Sequence, residues 1–352
     1  MTPLAQIIAG RIRATGPISL ADYMQICLLH PQHGYYSTRD PFGRAGDFTT
    51  APEISQIFGE ICGLALAQAW MDQGSPAPFT LAEIGPGRGT LMADMLRVIA
   101  RVPGMADAAQ LVLIEASPHL RQVQRDRLGD VTHLDHAADL PQQPLFLIAN
   151  EFFDALPVRQ YQRGDQGWAE RMVGLGPDGL QFGLGPTVDL PRPGKIGDVV
   201  EDCPAAPAII AAIAGRIARH GGAAIVIDYG GWNGYGDTFQ ALRNHRAEDP
   251  LAHPGQADLT AHVDFAPLAA AAIRSGAMSS RMGMQGPWLL ALGAAQRAQK
   301  LLQAGDRGAP AALRRLTDGQ EMGQLFKTLA IWPEGAPPVP GFDPLRLHAD
   351  DA

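Results

Sequence analysis

The sequence predicts an α/β fold organised on an open, doubly wound sheet, and three observations lead there. Short apolar runs recur at 79–84, 111–115, 145–149 and 223–228, as strands buried on both faces require. Helical stretches at 90–101 and 117–128 alternate with them, giving the βαβα order of a parallel sheet. A turn carrying Gly85, Gly87 and Gly89 joins the first of these strands to the first helix, where such sheets bind ligands.

The elements follow in chain order. Leu4, Ile7, Ile8 and Ile12 recur at helical spacing, and Ser19 is placed to cap a second helix over 20–29. Residues 31–51 are punctuated by Gly and Pro and read as a loop. From Pro52 the spacing Ile54, Ile57, Phe58, Ile61, Leu64 marks an amphipathic helix running to about Met71. The alternating core follows. It is interrupted over 157–200 by short alternating pieces at 159–163 and 168–173, which predict an antiparallel insertion. A second long loop occupies 231–265. Two further strands, around 280–285 and 327–332, flank a helical segment at 287–302, and the Pro-rich last twenty residues read as a surface tail. The expected layout is N-terminal helices and a lid loop (1–75), the first half of the core (76–156), the insertion (157–220), the second half of the core with an acceptor-site loop (221–335) and a tail (336–352).

Composition excludes several classes. Hydrophobic residues are 46% and charged residues 18% of 352, which is ordinary globular composition. A net charge of −8 argues against a nucleic-acid binder that works by neutralising phosphates. No apolar run reaches the roughly 18 residues of a membrane helix. Cys27, Cys62 and Cys203 are too scattered for a disulfide framework or a zinc site, so a reducing, cytoplasmic setting is expected. His30 and His33 have HxxH spacing but no third ligand, and no metal is expected. No G-x-S-x-G word occurs, which disfavours a hydrolase.

The most informative word is LAEIGPGRGTL, 81–91. It lacks the Lys of a phosphate-binding P-loop, and Thr90 stands where a dinucleotide fingerprint wants its third glycine. What stands here is E-x-G-x-G-x-G, with Glu83 two residues before Gly85. Glu115, closing the next strand, can accept both hydroxyls of a ribose; NAD and S-adenosylmethionine both need such an acid, so Glu115 alone does not choose between them. The word itself resembles motif I of the class I S-adenosyl-L-methionine methyltransferases. That resemblance implies a cofactor lying on the glycine backbone with Glu83 helping to bind its methionine ammonium.

Longer words resemble one family within that class. GPISLADYMQICLLHPQHGYY (16–36), GDFTTAPEISQIFGE (46–60), LIANEFFDALPVRQ (147–160), ADLTAHVDF (257–265) and IVIDYG (225–230) are similar to the MidA family, which includes a mitochondrial complex I assembly factor acting as a protein arginine methyltransferase. The resemblance implies a seven-stranded core, S-adenosyl-L-methionine as cofactor, and methylation of an arginine on a respiratory complex I subunit during assembly. The expected partners are that protein substrate and a second copy of the chain, without nucleic acid or membrane insertion.

In such a fold NEFFD, directly after the strand 145–149, lines the acceptor pocket. A guanidinium is a poor nucleophile because its lone pair is delocalised and its pKa exceeds about 12. A pair of carboxylates can fork onto it and leave one nitrogen aimed at the methyl group. Glu151 and Asp154, with Asn150, are therefore the candidate catalytic residues, and Phe152 and Phe153 pack either in the core or against the substrate. Asp47, Thr49 and Thr50 are assigned to a lid over the cofactor, with helix capping as the plainer role for Thr49 or Thr50. Asp228, closing the next strand, either approaches the acceptor or binds backbone. His253, His262 and Asp264 read as structural loop residues.

Overall fold

The computed structural model describes residues 2–38 and 50–345, and the chain divides into two compact units. The described parts of Thr49–Phe153, Pro207–Gly230 and Phe265–Ala352 form the unit that carries the parallel sheet. Its strands are β1 (Phe79–Ile84), β2 (Ala109–Ile114), β3 (Thr132–Leu134), β4 (Leu145–Asn150), β5 (Gly222–Gly231), β6 (Ala277–Ser279) and β7 (Phe326–Pro333). Their order across the sheet is β6-β7-β5-β4-β1-β2-β3. The five strands from β5 to β3 are parallel; β7 runs antiparallel between β5 and β6. This is the α/β, doubly wound, seven-stranded arrangement that the family words imply. A two-residue strand, Gly283–Met284, adds to β7.

Every residue of β1 and β4 is buried, because helices cover both faces of a parallel sheet. The two-residue period sends Leu81, Leu113, Phe146, Ile148, Ile225 and Ile227 to one face, where they join a single apolar cluster with Ile57, Phe58 and Ile61 of helix α1 (Gln56–Asp72) and Met92 and Met95 of helix α2 (Thr90–Ile99). Helix α3 (Pro118–Leu128) follows β2, helix α4 (Ala205–His220) precedes β5 and helix α5 (Phe265–Arg274) precedes β6. The helix expected from Pro52 to about Met71 is two helices. Ser55 adopts extended backbone after Ala51–Ile54, and its hydroxyl caps the second by accepting from the Ile57 N–H at 3.2 Å. The segment 287–302 likewise breaks at Gly293, whose φ of 97° separates helix Gln285–Ala291 from Ala294–Gln303. The Pro-rich end does not lie loose where it is described. Val339 and Phe342 are buried, and the Trp288 indole donates to the Pro340 carbonyl at 3.2 Å.

The described parts of Met1–Phe48, Asp154–Ala206 and Gly231–Asp264 form the other unit. The expected antiparallel insertion is here: Arg159–Gly164, Gly167–Gly176, Gly179–Val188 and Val199–Asp202 pair with Ile18–Ser19 in one sheet. Helix Pro3–Thr15 buries Leu4, Ile8 and Ile12 against it, while Ile7 stays exposed. Ser19 caps helix Leu20–Leu29 as its position predicts, accepting from the Asp22 N–H at 3.0 Å. The region expected as a second long loop contains a small sheet, Gln240–Arg243, Arg246–Glu248 and Asp258–Thr260. Its tight turn uses Asn244 and His245 at positive φ, an unconventional pair that hides the hairpin from pattern reading. No helix among the described residues is long and apolar enough to cross a membrane.

Candidate active site

Register across the parallel sheet aligns the candidate cofactor residues. Glu83 pairs with Leu113 on one side and Ile148 on the other. Two residues further along those neighbours, on the same face by the strand period, stand Glu115 and Asn150. The apolar face that anchors the helices thus ends in a row of polar side chains at the carboxyl ends of β2, β1 and β4, the place where open α/β sheets bind ligands.

The turn after β1 is built from left-handed glycines, with φ of 66° at Gly85, 52° at Gly87 and 74° at Gly89. Two of them are also close approaches. A Cβ on Gly85 would lie 3.0 Å from the Phe152 ring, and one on Gly89 would lie 3.1 Å from Leu128. Only glycine meets both demands without strain. Glu83 is buried, and among the described residues its Oε2 has no hydrogen-bond partner. Burial pushes its pKa up to about 8; the backbone N–H of Met92 opposes the shift and the nearby Glu115 adds to it. A buried acceptor lacking a donor costs about 1–3 kcal/mol, so the position fits a ligand that brings an N–H, such as an ammonium.

Glu115 is held by its own loop. Its Oε1 accepts from the Ser117 N–H at 2.7 Å and its Oε2 from Gln124 Nε2 at 3.3 Å. Burial raises its pKa, while Ser117, Gln124 and Arg121 pull it back. Gln124 is a site residue that the sequence reading missed. Fully buried on α3, it also donates to the Gly87 carbonyl at 2.7 Å, and its Oε1 lies 2.8 Å from His133 Nε2. One amide therefore ties the glycine turn to the ribose-type acid. The available signal was a polar residue on an apolar helical stripe, since Gln124 lies midway between Leu120 and Leu128 at intervals of four.

The NEFF turn closes the site from β4. Asn150 is buried; its Nδ2 donates to Glu151 Oε1 at 3.2 Å, and its Oδ1 has no partner among the described residues. Glu151 has φ 52°, a left-handed conformation that costs a residue with a Cβ about 1–2 kcal/mol. Its carboxylate also accepts from the Ala51 N–H at 3.1 Å. The Glu151 N–H donates to the Ile227 carbonyl at 3.0 Å, and those of Phe152 and Phe153 donate to Asp228 Oδ2 at 3.2 and 3.0 Å. Of the two roles left open for Asp228, the structure thus gives it the backbone-binding one. Phe153 is buried, and Phe152 is partly exposed against the glycine turn, so the pair divides between core and site.

Other expected residues are placed as follows. Asp154 falls in the other unit, where it is buried near Tyr36; burial raises the Tyr36 phenol, and the charges of Asp258 and Asp154 add to that. The Tyr36 hydroxyl donates to Asp258 at 2.8 Å. Asp47 and Thr49, with most of the expected lid loop, lie outside the described residues. Thr50 is buried before helix Ala51–Ile54, and its hydroxyl makes no cap bond. That short helix is tied down instead by Glu53, which accepts from the Thr90 hydroxyl at 2.6 Å, and Thr90 in turn accepts from Arg127. In the other unit His253 Nδ1 lies 3.1 Å from the Glu248 carboxylate, and the His262 N–H donates to the Thr238 hydroxyl. His30 and His33 stack on each other, and no cluster of three His, Cys, Asp or Glu side chains suited to a metal occurs among the described residues.

The residues present fit S-adenosyl-L-methionine: an unpartnered buried carboxylate beside a left-handed glycine turn, and a second carboxylate fixed at the end of β2. Comparison with known proteins agrees. Residues 61–282 match the model of a family described as "Putative S-adenosyl-L-methionine-dependent methyltransferase". The chain is 35% identical to "Protein arginine methyltransferase NDUFAF7, mitochondrial" of Xenopus tropicalis, covering 96% of this chain and 89% of that one. It is 37% identical to the Drosophila melanogaster homolog, also named mitochondrial, covering 94% and 85%. A COG1565 superfamily structure from Burkholderia thailandensis bound to S-adenosyl-homocysteine superposes with a TM-score of 0.82 at 30% identity, covering 97% of this chain and 92% of that one. The expectation of a cytoplasmic protein is corrected by these relatives, which are named as mitochondrial; scattered cysteines report a redox state, not an address. Fold, site and relatives agree that this chain belongs to the MidA-like family of S-adenosyl-L-methionine-dependent methyltransferases.

Proposed function

We propose that this chain methylates an arginine side chain of a protein substrate, such as a respiratory complex I subunit during assembly. The observation that carries the reading is Glu151, an acid in a left-handed conformation at the tip of β4, whose next residue packs on the cofactor turn. The names of the curated relatives, protein arginine methyltransferases, support the choice of acceptor. When bound, the cofactor supplies an electrophilic methyl group on sulfur. Glu83, the glycine backbone and Glu115 hold it. Glu151 accepts an N–H of the incoming guanidinium, localises its charge on one nitrogen and leaves the other free to attack. Its carboxylate receives the proton released as the new bond forms. Asn150 braces Glu151 through Oε1. Phe152, beside Gly85, walls the reacting end from water. Asp154 stays in the proposal as a second acid on its spacing from Glu151 alone. Thr50, and Asp47 and Thr49 with it, stay as cofactor-side residues of a lid on the sequence reading, and a second copy of the chain stays as a partner on the same footing.

The test is Glu151→Gln. The variant keeps S-adenosylhomocysteine affinity within about threefold and loses transfer by about 100-fold or more, as expected for an interaction used in the reaction rather than in cofactor binding. Normal transfer by this variant would overturn the acid role. Intact-mass comparison of complex I subunits from cells with and without the gene identifies the acceptor, by a step of one methylene present only with the gene.

A further inference from the structure

We infer that Asp228 is a positioning residue for methyl transfer, acting by holding Glu151 in its left-handed turn; this rests on the reading of Glu151 as the acceptor acid. Asp228 is completely buried in β5, one residue beyond the Ile227–Asn150 pair. A carboxylate in that position is costly unless its oxygens are occupied. Here Oδ2 accepts from the backbone N–H groups of both Phe152 and Phe153, and Oδ1 accepts from the Tyr229 N–H at 3.0 Å.

The consequence lies in the turn. When β4 ends at Asn150, the Glu151 N–H still makes the next parallel-ladder bond, to the Ile227 carbonyl, but the two amides after it leave the ladder and would have to find other acceptors. Both are taken by the Asp228 carboxylate, on the residue of β5 that follows Ile227. Two donors drawn to one carboxylate at the strand end curl the chain back on itself directly after Glu151, whose φ is 52°. The same curl lays the Phe152 ring on Gly85. Asp228 thus fixes, from β5, both the aim of the acid and the wall of the cofactor turn. It does so without its carboxylate being placed on the acceptor. An ordinary strand-end acid would serve stability alone; the convergence of both successive amides on one oxygen is what assigns the positioning role.

Asp228→Asn tests this. The amide keeps the size but has one acceptor oxygen where the carboxylate has two, so the turn loses part of its hold. The full-length variant is assayed with methyl-labelled S-adenosylmethionine, using protein extract from cells lacking this gene as acceptor. We expect transfer to fall about 10- to 100-fold, the effect of losing hydrogen bonds to a charged group, with S-adenosylhomocysteine affinity within about threefold. Hydrogen exchange should accelerate at the Phe152 and Phe153 amides while 223–227 stay protected. Transfer within threefold of the parent, or a loss of cofactor affinity equal to the loss of rate, overturns the inference. Glu151→Gln is run alongside. If it alone abolishes transfer, the acid reading stands and only the role of Asp228 falls; if it transfers normally, the acid reading falls and this inference with it. Should Asp228→Asn not fold, Asp228→Ser is carried through the same assay. Should neither fold, exchange in the parent decides: protection of Phe152 and Phe153 equal to that of β5 supports the inference, and loop-like exchange overturns it.

Discussion

Cofactor binding should be coupled to the ionisation of Glu83. Burial, with Glu115 in the same sense, holds this carboxyl near a pKa of about 8, well above its ordinary 4.5. At pH 7 about one-tenth of the cofactor-free protein then carries the charge that an ammonium needs. Binding to the charged form alone means that affinity for S-adenosylhomocysteine, which bears the same ammonium, tightens about tenfold per pH unit between pH 6 and 7.5. Close to one proton is released per cofactor bound at pH 7. Isothermal calorimetry across that range reads the affinity, and repeating it in two buffers of different ionisation enthalpy counts the proton. Glu83→Gln should flatten the slope and weaken binding at pH 7.5 about 10- to 100-fold, as loss of a charged hydrogen bond predicts. Linkage also has a sign in the cofactor-free protein. The folded state holds a proton that the unfolded chain releases above 4.5, so this group's contribution makes the protein less stable as pH rises from 4.5 through about 8. A flat affinity in the parent over pH 6–7.5, or the same slope in Glu83→Gln, would refute the reasoning.

Three further outcomes are expected. Gln124→Leu leaves the Gly87 carbonyl and Glu115 Oε2 without that donor, so S-adenosylhomocysteine affinity should drop about tenfold by calorimetry; unchanged affinity would show that the amide is mere packing. Gly85→Ala must place a Cβ 3.0 Å from Phe152 at φ 66°, a conformational cost of about 1–2 kcal/mol before any clash, and cofactor affinity should fall by at least about tenfold. Arg297→Ala strips the buried Glu60 of a two-bond partner at 2.5 and 2.8 Å; because Arg297 is one-third exposed, urea unfolding should show a loss of about 1–2 kcal/mol rather than the 3–5 of a fully buried pair.

What could be read in the sequence was what depends on local pattern. The four apolar runs gave β1, β2, β4 and β5 within a few residues because the central positions of these strands are buried and mostly apolar on both faces. The glycine turn was legible because positive φ restricts composition. The same logic failed at Ser55 and Gly293, where an apolar stripe continues across a break and periodicity does not register it. Gln124 was hidden for another reason: it acts on a backbone carbonyl far away in sequence, and backbone atoms leave no trace in composition; for the same reason the pattern left two roles open for Asp228. The left-handed Glu151 was equally invisible, since a residue other than glycine gives no warning of positive φ. Asp154, three residues from Glu151, was grouped with it by spacing, yet the chain passes from one compact unit to the other between Phe153 and Asp154.

The antiparallel placement of β7 bears on how the protein is made. β5 presents the fully buried run from Ala223 to Ile227, and its far edge is covered by β7, which leaves the ribosome almost a hundred residues later. During synthesis that flank remains an open, greasy hydrogen-bonding template, of the kind that recruits stray strands. A nascent chain halted before Phe326 would therefore be a natural client for chaperones or proteases, and quality control of this enzyme hinges on the arrival of β7.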